Sequence, residues 1–310
     1  MQAKQYSLLD IMIATNKFSI ESPNSIRCYK GVLDGQEVVV QNYIFDIREE
    51  LLNIISFVKE GSRRNSLPPN TRHPIVNILG YCWDEPEKFL YIVFEYPRKG
   101  LTLIAYLVDD DCPSREWSTY KRIINGIANA ICYLHHSSRQ KYLVRRYLDS
   151  FSIWLDDSWN VQLSDFDSIK VKDRDEAFSE IPLPCGRLGY ITRDDGISKD
   201  VYDFGNTLLL FLVGTHTRFL ASSSVATDAY GGLTNKVWDW WDSKKDMLEL
   251  LDPRIKNYSS DEARCYFEIV LLCLQPEPEL RPNMVEVVKM LNSHVALPIR
   301  SSKHRRSYAD

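Results

Sequence analysis

Apolar residues in the first third of the chain follow two different periods. Short apolar runs bounded by turn-forming residues are typical of strands, whereas apolar residues three and four positions apart predict helices. The valine run at 38–40 follows Asp34 and Gly35, which predicts a turn and then a strand. The same rules predict strands at Ile75–Cys82 and Phe89–Glu95 and helices at Tyr6–Phe18 and Asp46–Lys59.

The period becomes mostly helical after Gly100. Ile124, Ile127, Ile131 and Leu134 recur at the spacing of one long helix. Two short strands and two more helices are predicted at 153–155 and 161–163, and at Phe204–Val213 and Met284–Leu291. A β-rich part with one main helix is therefore followed by a larger helical part, which is an α+β organisation.

The composition is that of an ordinary globular protein. The chain has 310 residues, of which 44% are hydrophobic and 26% charged, so it can bury a core without a disulfide or metal. The 38 basic and 42 acidic residues give a net charge of −4, which argues against a nucleic-acid partner. The seven cysteines include no C-x-x-C pair, so reduced thiols and no zinc site are expected.

Nothing in the sequence predicts a membrane-spanning or secreted segment. The longest run without charged residues, at 123–138, contains Asn and His and is shorter than the about 20 apolar residues that a span needs. The start shows no signal peptide, and Gln2 stands where N-myristoylation requires glycine. We therefore expect a cytoplasmic protein that meets the plasma membrane only through partners.

Six short stretches, in order along the chain, resemble motifs of protein kinases. They are Ala14–Ser19 (A-T-N-K-F-S), Ile75–Cys82, Tyr133–His135 (Y-L-H), Asp165–Phe166, Asp200–Gly205 (D-V-Y-D-F-G, against D-V-Y-S-F-G) and Cys273–Met284. The first and last resemble plant receptor-like kinases. The resemblance implies a bilobal kinase-like fold, with an N-terminal segment at 1–18, an N-lobe at 19–97, a C-lobe at 98–296 and a basic flexible tail at 297–310.

The residues that handle the triphosphate in kinases are replaced in the N-terminal part. Phosphoryl transfer needs a glycine-rich loop and a strand lysine that neutralise and position the phosphates. The three glycine positions fall on Glu21, Pro23 and Ile26, and the lysine falls on the uncharged Gln41. The helix glutamate that would pair with this lysine corresponds to Glu49 or Glu50, with two ordinary surface acids as the alternative.

The catalytic loop H-R-D-L-x-x-x-N corresponds to Arg145–Ser152. Arg146 retains the arginine of that motif. The base aspartate is replaced by Tyr147, whose phenol has an ordinary pKa of about 10 and is a poor proton acceptor at neutral pH. The lysine position is Asp149, and the metal-ligating asparagine is Ser152, a shorter ligand.

The D-F-G motif is only partly kept. Asp165 retains the metal carboxylate, but Asp167 replaces the glycine. Thr192-Arg193-Asp194 stands where A-P-E is expected, so Arg281 lacks its usual glutamate unless Asp194 or Asp195 substitutes. Loss of a general base alone costs about 10²–10⁴ in rate. We interpret the chain as a pseudokinase with no cofactor or metal, weak Mg-ATP binding through Asp165 being the alternative.

The degenerate catalytic loop, the A-T-N-K-F prelude, the short N-terminus and the lack of a span make the chain similar to plant receptor-like cytoplasmic pseudokinases of the ZED/RKS type. That family implies an adaptor or decoy bound to the leucine-rich-repeat region of a ZAR-type coiled-coil NLR immune receptor. It also implies that the adaptor senses pathogen effectors, directly or through a modified receptor-like cytoplasmic kinase.

Two segments are candidate contact sites. The N-terminal Leu8, Leu9, Ile11 and Met12 are expected to dock on a partner or to pack on their own lobe. In the charged segment from Asp165 to Tyr190 and just beyond it, Ser168, Ser179 and Thr192 are candidates for acylation, nucleotidylation or phosphorylation, with a merely solubilising loop as the alternative. The tryptophans at 238, 240 and 241 are expected to lie on a helix and be partly buried, rather than form a binding patch.

Two other functions remain open from the sequence alone. One is a weak, atypical serine/threonine kinase that uses Asp165 and an unorthodox base. The other is a scaffold that regulates an active receptor kinase allosterically, without an NLR receptor.

Overall fold

The computed structural model describes the chain in separate stretches. These are residues 4–19, 28–43, 52–55, 73–97, 100–109, 115–136, 141–145, 148, 150–164, 169–173, 196–214 and 229–299. The chain divides into two compact units. The first lies within Met1–Asp109, Tyr133–Arg145 and Asp149–Glu176, and the second within Asp110–Cys132, Arg146–Leu148 and Ala177–Asp310.

The first unit is built on a five-stranded sheet. Its strands are β1 (Lys4–Gln5), β2 (Cys28–Leu33), β3 (Gln36–Tyr43), β4 (Ile78–Asp84) and β5 (Phe89–Glu95). Their order is β1-β4-β5-β3-β2, and every pair is antiparallel except β1 with β4. The β2–β3 turn at Asp34 and Gly35, both with positive φ, is the turn expected from the sequence.

Helix α1 (Leu8–Ala14) packs on one face of this sheet. Ser7 caps its first turn by accepting from the Asp10 N–H, and Asp10 accepts in return from the Ser7 N–H. Ile11 is fully buried in an apolar cluster formed with side chains of the sheet. Burial of this helix face explains why a short N-terminal helix is stable, since helices of this length depend on packing.

Two glycines allow the N-terminal segment to approach the sheet closely. A Cβ atom on Gly80 of β4 would clash with the carbonyl oxygen of Lys4, the residue that pairs with Gly80 across the β1–β4 ladder. A Cβ on Gly31 of β2 would lie 2.7 Å from the carbonyl oxygen of Ala14 at the end of α1. Both ends of the N-terminal segment therefore depend on positions that tolerate only glycine.

The rest of the first unit contains two smaller sheets and a short helix. These elements are β6 (Leu101–Thr102), α2 (Leu103–Val108), β7 (Lys141–Val144), β8 (Ile153–Leu155), β9 (Val161–Leu163) and β10 (Lys170–Asp173). A three-stranded sheet has the order β6-β8-β9, and β7 pairs antiparallel with β10.

The second unit is helical. Its helices are the 117–132 part of α3 (Trp117–His136), α4 (Ile197–Val213), α5 (Ala229–Asp242), α6 (Ser260–Cys273) and α7 (Met284–Ser293), with short 3₁₀ turns at Met247–Leu250 and Pro278–Leu280. Tyr120 of α3 stacks on Phe211 of α4 with ring centroids 4.4 Å apart. A Cβ on Gly205 of α4 would lie 2.8 Å from the Cβ of Cys273, so the glycine of the D-V-Y-D-F-G stretch permits close packing of α4 on α6.

The expected α+β organisation is confirmed, and several element boundaries are corrected. The strands at Phe89–Glu95, 153–155 and 161–163 are present as expected. The expected helix at Tyr6–Phe18 is wrong in length, because Ser7 caps it and residues 16–18 adopt positive φ. Strand β4 begins at Ile78 rather than Ile75, since Ile75 bridges to Leu163 instead.

Other expectations are refined or fall outside the described stretches. Helix α4 begins seven residues before the expected Phe204, at Ile197. Trp238 is buried and Trp240 and Trp241 are half-buried on α5, which confirms partial burial. Of the helix expected at Asp46–Lys59, residues 52–55 are described and are helical; Glu49 and Glu50 lie outside the described residues.

We expect Ile11→Ala to lower the free energy of unfolding by about 2–5 kcal/mol, because it leaves a cavity under α1. Ile13→Ala is the matched control: Ile13 lies on the same helix with 71% of its surface exposed, so its change is expected to stay within about 0.5 kcal/mol. Urea denaturation measures both. Equal effects of the two substitutions would contradict the packing of α1 described here.

Candidate functional site

Gln41, at the position of the kinase strand lysine, lies near the end of β3. It pairs with Cys28 of β2 and Ile92 of β5, and it is half-buried. Val38 and Val40 belong to the cluster under α1, so strand alternation places Gln41 on the opposite face. Its buried Oε1 atom has no hydrogen-bond partner among the described residues. A neutral amide at this position supplies no charge to a phosphate.

A buried guanidinium group binds the residue that stands at the position of the metal-ligating asparagine. Arg145 follows β7 directly and is 1% exposed. Its Nη2 atom donates to the Oγ atom of Ser152 at 2.5 Å. Hydrogen bonds to charged groups are shorter and stronger than neutral ones, so this contact fixes the Ser152 side chain toward Arg145.

Ser152 is also tied to the strand that leads toward position 165. Its carbonyl oxygen accepts from the Ser164 N–H at 2.9 Å and from the Ser164 hydroxyl at 3.3 Å. The indole Nε1 of Trp154 donates to the Ser164 Oγ at 3.1 Å. Arg145, Ser152, Ser164 and Trp154 therefore form one buried hydrogen-bonded network, which we call the Arg145 network.

In the second unit, a buried ion pair supports Leu148, at the centre of the catalytic-loop stretch. The Nζ atom of Lys199 lies 2.5 and 2.6 Å from the two carboxylate oxygens of Asp203, one helical turn along α4. The backbone N–H of Leu148 also donates to Asp203. Burial raises the pKa of Asp203 to about 6, against the opposing effect of Lys199, and the charge of Asp200 raises it further.

The acidic member of this pair stands where the kinase pattern has a small hydroxyl residue. Asp203 replaces the serine of D-V-Y-S-F-G, and Lys199 precedes it by four residues. In the sequence, Asp203 stands out only as part of the D-V-Y-D-F-G resemblance, so the ion pair is not predicted. The signal that was present is the i,i+4 spacing of opposite charges on a helix.

Arg281, which was expected to lack the glutamate partner of the kinase pattern, donates to backbone carbonyls. Its Nε donates to the Gln275 carbonyl at 2.8 Å and its Nη1 to the Ser198 carbonyl at 3.0 Å. The guanidinium carbon lies 4.8 Å from the centre of the Tyr202 ring. Arg281 thus ties the start of α4 to the loop after α6. The alternative acceptors Asp194 and Asp195 lie outside the described residues.

The four N-terminal candidates are divided between core and surface. Ile11 is fully buried and Leu8 packs against the same cluster, which agrees with the alternative that these residues pack on their own lobe. Met12 is half-buried, and Leu9 is 66% exposed.

Most residues carried over from kinase motifs lie outside the described residues, as do all three modification candidates. They are the catalytic-loop positions Arg146, Tyr147 and Asp149, the metal carboxylate Asp165 with Asp167, the glycine-loop positions Glu21, Pro23 and Ile26, and Ser168, Ser179 and Thr192.

Comparisons with known proteins agree with the fold and motifs. No protein-family model matches the chain. It is 30% identical, over 94% of its length, to a G-type lectin S-receptor-like serine/threonine-protein kinase of Arabidopsis thaliana, 34% of which is covered. It is 32% identical, over 86% of its length, to cysteine-rich receptor-like protein kinase 10 of Oryza sativa subsp. japonica, 40% of which is covered. The chain thus spans about a third to a half of these relatives' lengths.

The solved structure of an apo pseudokinase matches with a TM-score of 0.62 and 24% identity, over 94% of this chain and 93% of that one. A β-sheet N-lobe and a helical C-lobe that match this structure define the protein-kinase fold. The chain has the protein-kinase fold, and the relatives that it matches in sequence are plant receptor-like kinases. Among the described helices, none combines the length and apolarity needed to cross a bilayer.

Kinases bind Mg²⁺ through the D-F-G aspartate and the catalytic-loop asparagine, and the described half of that pair does not fit the ion. The Ser152 hydroxyl already accepts from a guanidinium cation. A divalent cation on the same oxygen would be repelled by Arg145, and burial strengthens this repulsion because little water screens it. The Ser152 hydroxyl therefore fits the Arg145 guanidinium group better than it fits a metal ion.

Lys199→Met is expected to destabilise the protein by about 3–5 kcal/mol, because it leaves a buried carboxylate without its cation. The double variant Lys199→Met/Asp203→Asn is expected to recover most of that loss, since the amide oxygen still accepts from Leu148. Urea denaturation of wild type, both single variants and the double variant gives the coupling energy. Additive effects would show that the pair does not act as a unit.

The raised pKa of Asp203 also predicts that the stability of the protein depends on pH. The folded carboxyl holds its proton up to about pH 6, whereas its ordinary pKa is 3.8. Between these values the unfolded state binds fewer protons, so this group's contribution, about 3 kcal/mol, is present below pH 4 and lost as the pH rises through 6. The unfolding free energy of wild type minus that of Asp203→Asn should fall over this range, and a constant difference would contradict it.

Proposed function

We propose that this chain is a catalytically inactive member of the kinase superfamily that acts through protein–protein contacts. The observation that carries the proposal is the hydrogen bond from Arg145 to Ser152. It supports the proposal because it directs a cationic side chain to the residue that stands in place of the metal-ligating asparagine. Gln41 supports the proposal, because a neutral side chain stands in place of the phosphate-binding lysine.

The sequence supports the same proposal at positions outside the described residues. Tyr147 replaces the base aspartate and Asp149 reverses a positive charge. General base catalysis and electrostatic stabilisation each account for about 10²–10⁴ in rate. Because these losses fall on different parts of the machinery, residual phosphoryl transfer is expected to be negligible.

Titration calorimetry with Mg-ATP and Mn-ATP, together with transfer of radiolabelled phosphate, tests this proposal. We expect neither binding heat nor labelling of the chain or of a generic substrate, with an active receptor-like kinase domain as the positive control. Asp165→Ala is the matched variant, because Asp165 is the one retained metal carboxylate of the motif. Labelling that disappears in Asp165→Ala would instead establish a weak, atypical kinase.

The finer proposal is an adaptor or decoy in plant immunity. In this role the chain links the leucine-rich-repeat region of a ZAR-type coiled-coil NLR receptor to a pathogen effector or to a modified receptor-like cytoplasmic kinase. Its support is the resemblance of the prelude and the degenerate catalytic loop to the ZED/RKS type. The segment around Ser168, Ser179 and Thr192 is proposed as the place where modification or a modified partner acts.

Co-purification from plant cells with a tagged leucine-rich-repeat receptor tests the adaptor role. Recovery of the receptor supports it, and recovery of only an active receptor kinase would favour the allosteric scaffold. Replacing Ser168, Ser179 and Thr192 together by alanine distinguishes modification of this chain from docking of a modified partner. An unchanged partner response would exclude modification at these residues.

A further inference from the structure

A cavity of about 200 Å³ opens on the first unit between β1, α1 and the β2–β3 turn. Lys4, Asp10, Ile13, Val32, Leu33 and Asp34 contribute to its lining. Apart from Ala14, the first residue of the A-T-N-K-F-S stretch, the lining residues lie outside the kinase motifs. The cavity is smaller than the roughly 300–1,000 Å³ of typical small-molecule sites, so it has room for a single side chain and not for a nucleotide.

More of the exposed lining of the cavity is polar than apolar, and the apolar part includes aliphatic side chains. Leu33 is buried, while Ile13 and Val32 are 71% and 56% exposed. Leu9, one turn before Ile13 on α1, is also mostly exposed. Exposed aliphatic side chains next to a concave site are typical of protein interfaces. We call Leu9, Ile13 and Val32, with the cavity beside them, the α1 surface.

The polar edge of the cavity carries one negative charge in excess. Two carboxylates, Asp10 and Asp34, face a single ammonium group, that of Lys4, whose Nζ lies 2.7 Å from Asp34. Asp10 accepts hydrogen bonds only from the N–H and hydroxyl of Ser7 among the described residues, and these bonds lower its pKa. A positive group on a partner would complement this edge.

We propose that the α1 surface docks a segment of a partner protein that presents one aliphatic or aromatic side chain beside a lysine or arginine. The apolar side chain packs against the exposed Ile13 and Val32, and the basic group pairs with Asp10 at the polar edge of the cavity. This inference rests on the proposed function, because it supplies a contact surface for a protein that acts without catalysis. It assigns that contact to the outer face of α1, since Leu8 and Ile11 are committed to the sheet.

A random peptide library displayed on phage, selected against the full chain, tests the proposal. We expect enrichment of peptides with an apolar residue flanked by Lys or Arg. Val32→Glu and Ile13→Glu are expected to weaken binding of a synthetic enriched peptide at least about tenfold. Val285→Glu is the matched control, because Val285 is comparably exposed on α7 in the other unit. Thermal unfolding verifies that each variant is folded.

Asp10→Asn isolates the charge, because the amide oxygen can still accept from the Ser7 N–H and keep the helix cap. This substitution should weaken binding of the enriched peptide, and the loss of affinity should be smaller at high salt. Three outcomes would overturn the proposal: enriched peptides that bind Val32→Glu normally, enriched peptides that are acidic, or self-association of the chain that Val32→Glu abolishes. None of these outcomes bears on phosphate transfer, so the proposed lack of catalysis stands or falls separately.

Discussion

A buried charged group needs polar partners inside the protein, and this constraint governs the described part of the candidate site. An active kinase brings its cations to the site with the nucleotide and neutralises phosphates with lysine. Here Arg145 is buried and donates to Ser152, and Lys199 is buried against Asp203. These charges come from the polypeptide, so Leu148 and Ser152 are held without a ligand. The same feature that stabilises position 152 also makes it unsuitable for Mg²⁺.

The proposed docking role depends on how the N-terminal segment is anchored to its sheet. Glycines at 31 and 80 admit α1 and β1 close to the sheet, and Ile11 provides the buried contact. Because a short helix is marginal alone, this anchoring holds its outer face in place. Leu9 and Ile13 are then presented from a fixed backbone, which reduces the entropy that a partner must overcome on binding.

The sequence was a good guide to the fold where apolar patterns are continuous. Strand β5 and the two short strands at 153–155 and 161–163 have the expected bounds, because their side chains are mostly buried on both faces. The start of α4 was missed for the opposite reason. The charged side chains at the start of this helix predict an exposed surface, but Lys199, Asp200 and Asp203 are all buried. Their burial is possible because pairing and helix packing offset the cost of burying charge.

The sequence predicts the properties of the candidate site only where they follow from the type of residue alone. That Gln41 cannot supply a charge follows from its identity alone, but the Ser152 hydroxyl could equally have faced a metal. What decides between these is the direction of the Arg145 side chain, which depends on how the ends of β7 and β8 are placed in three dimensions. A substitution that looks like simple loss in the sequence, His to Arg beside Asn to Ser, is in the structure a matched donor and acceptor. This pairing argues that the catalytic loop has acquired an internal network of its own rather than merely lost its ligands.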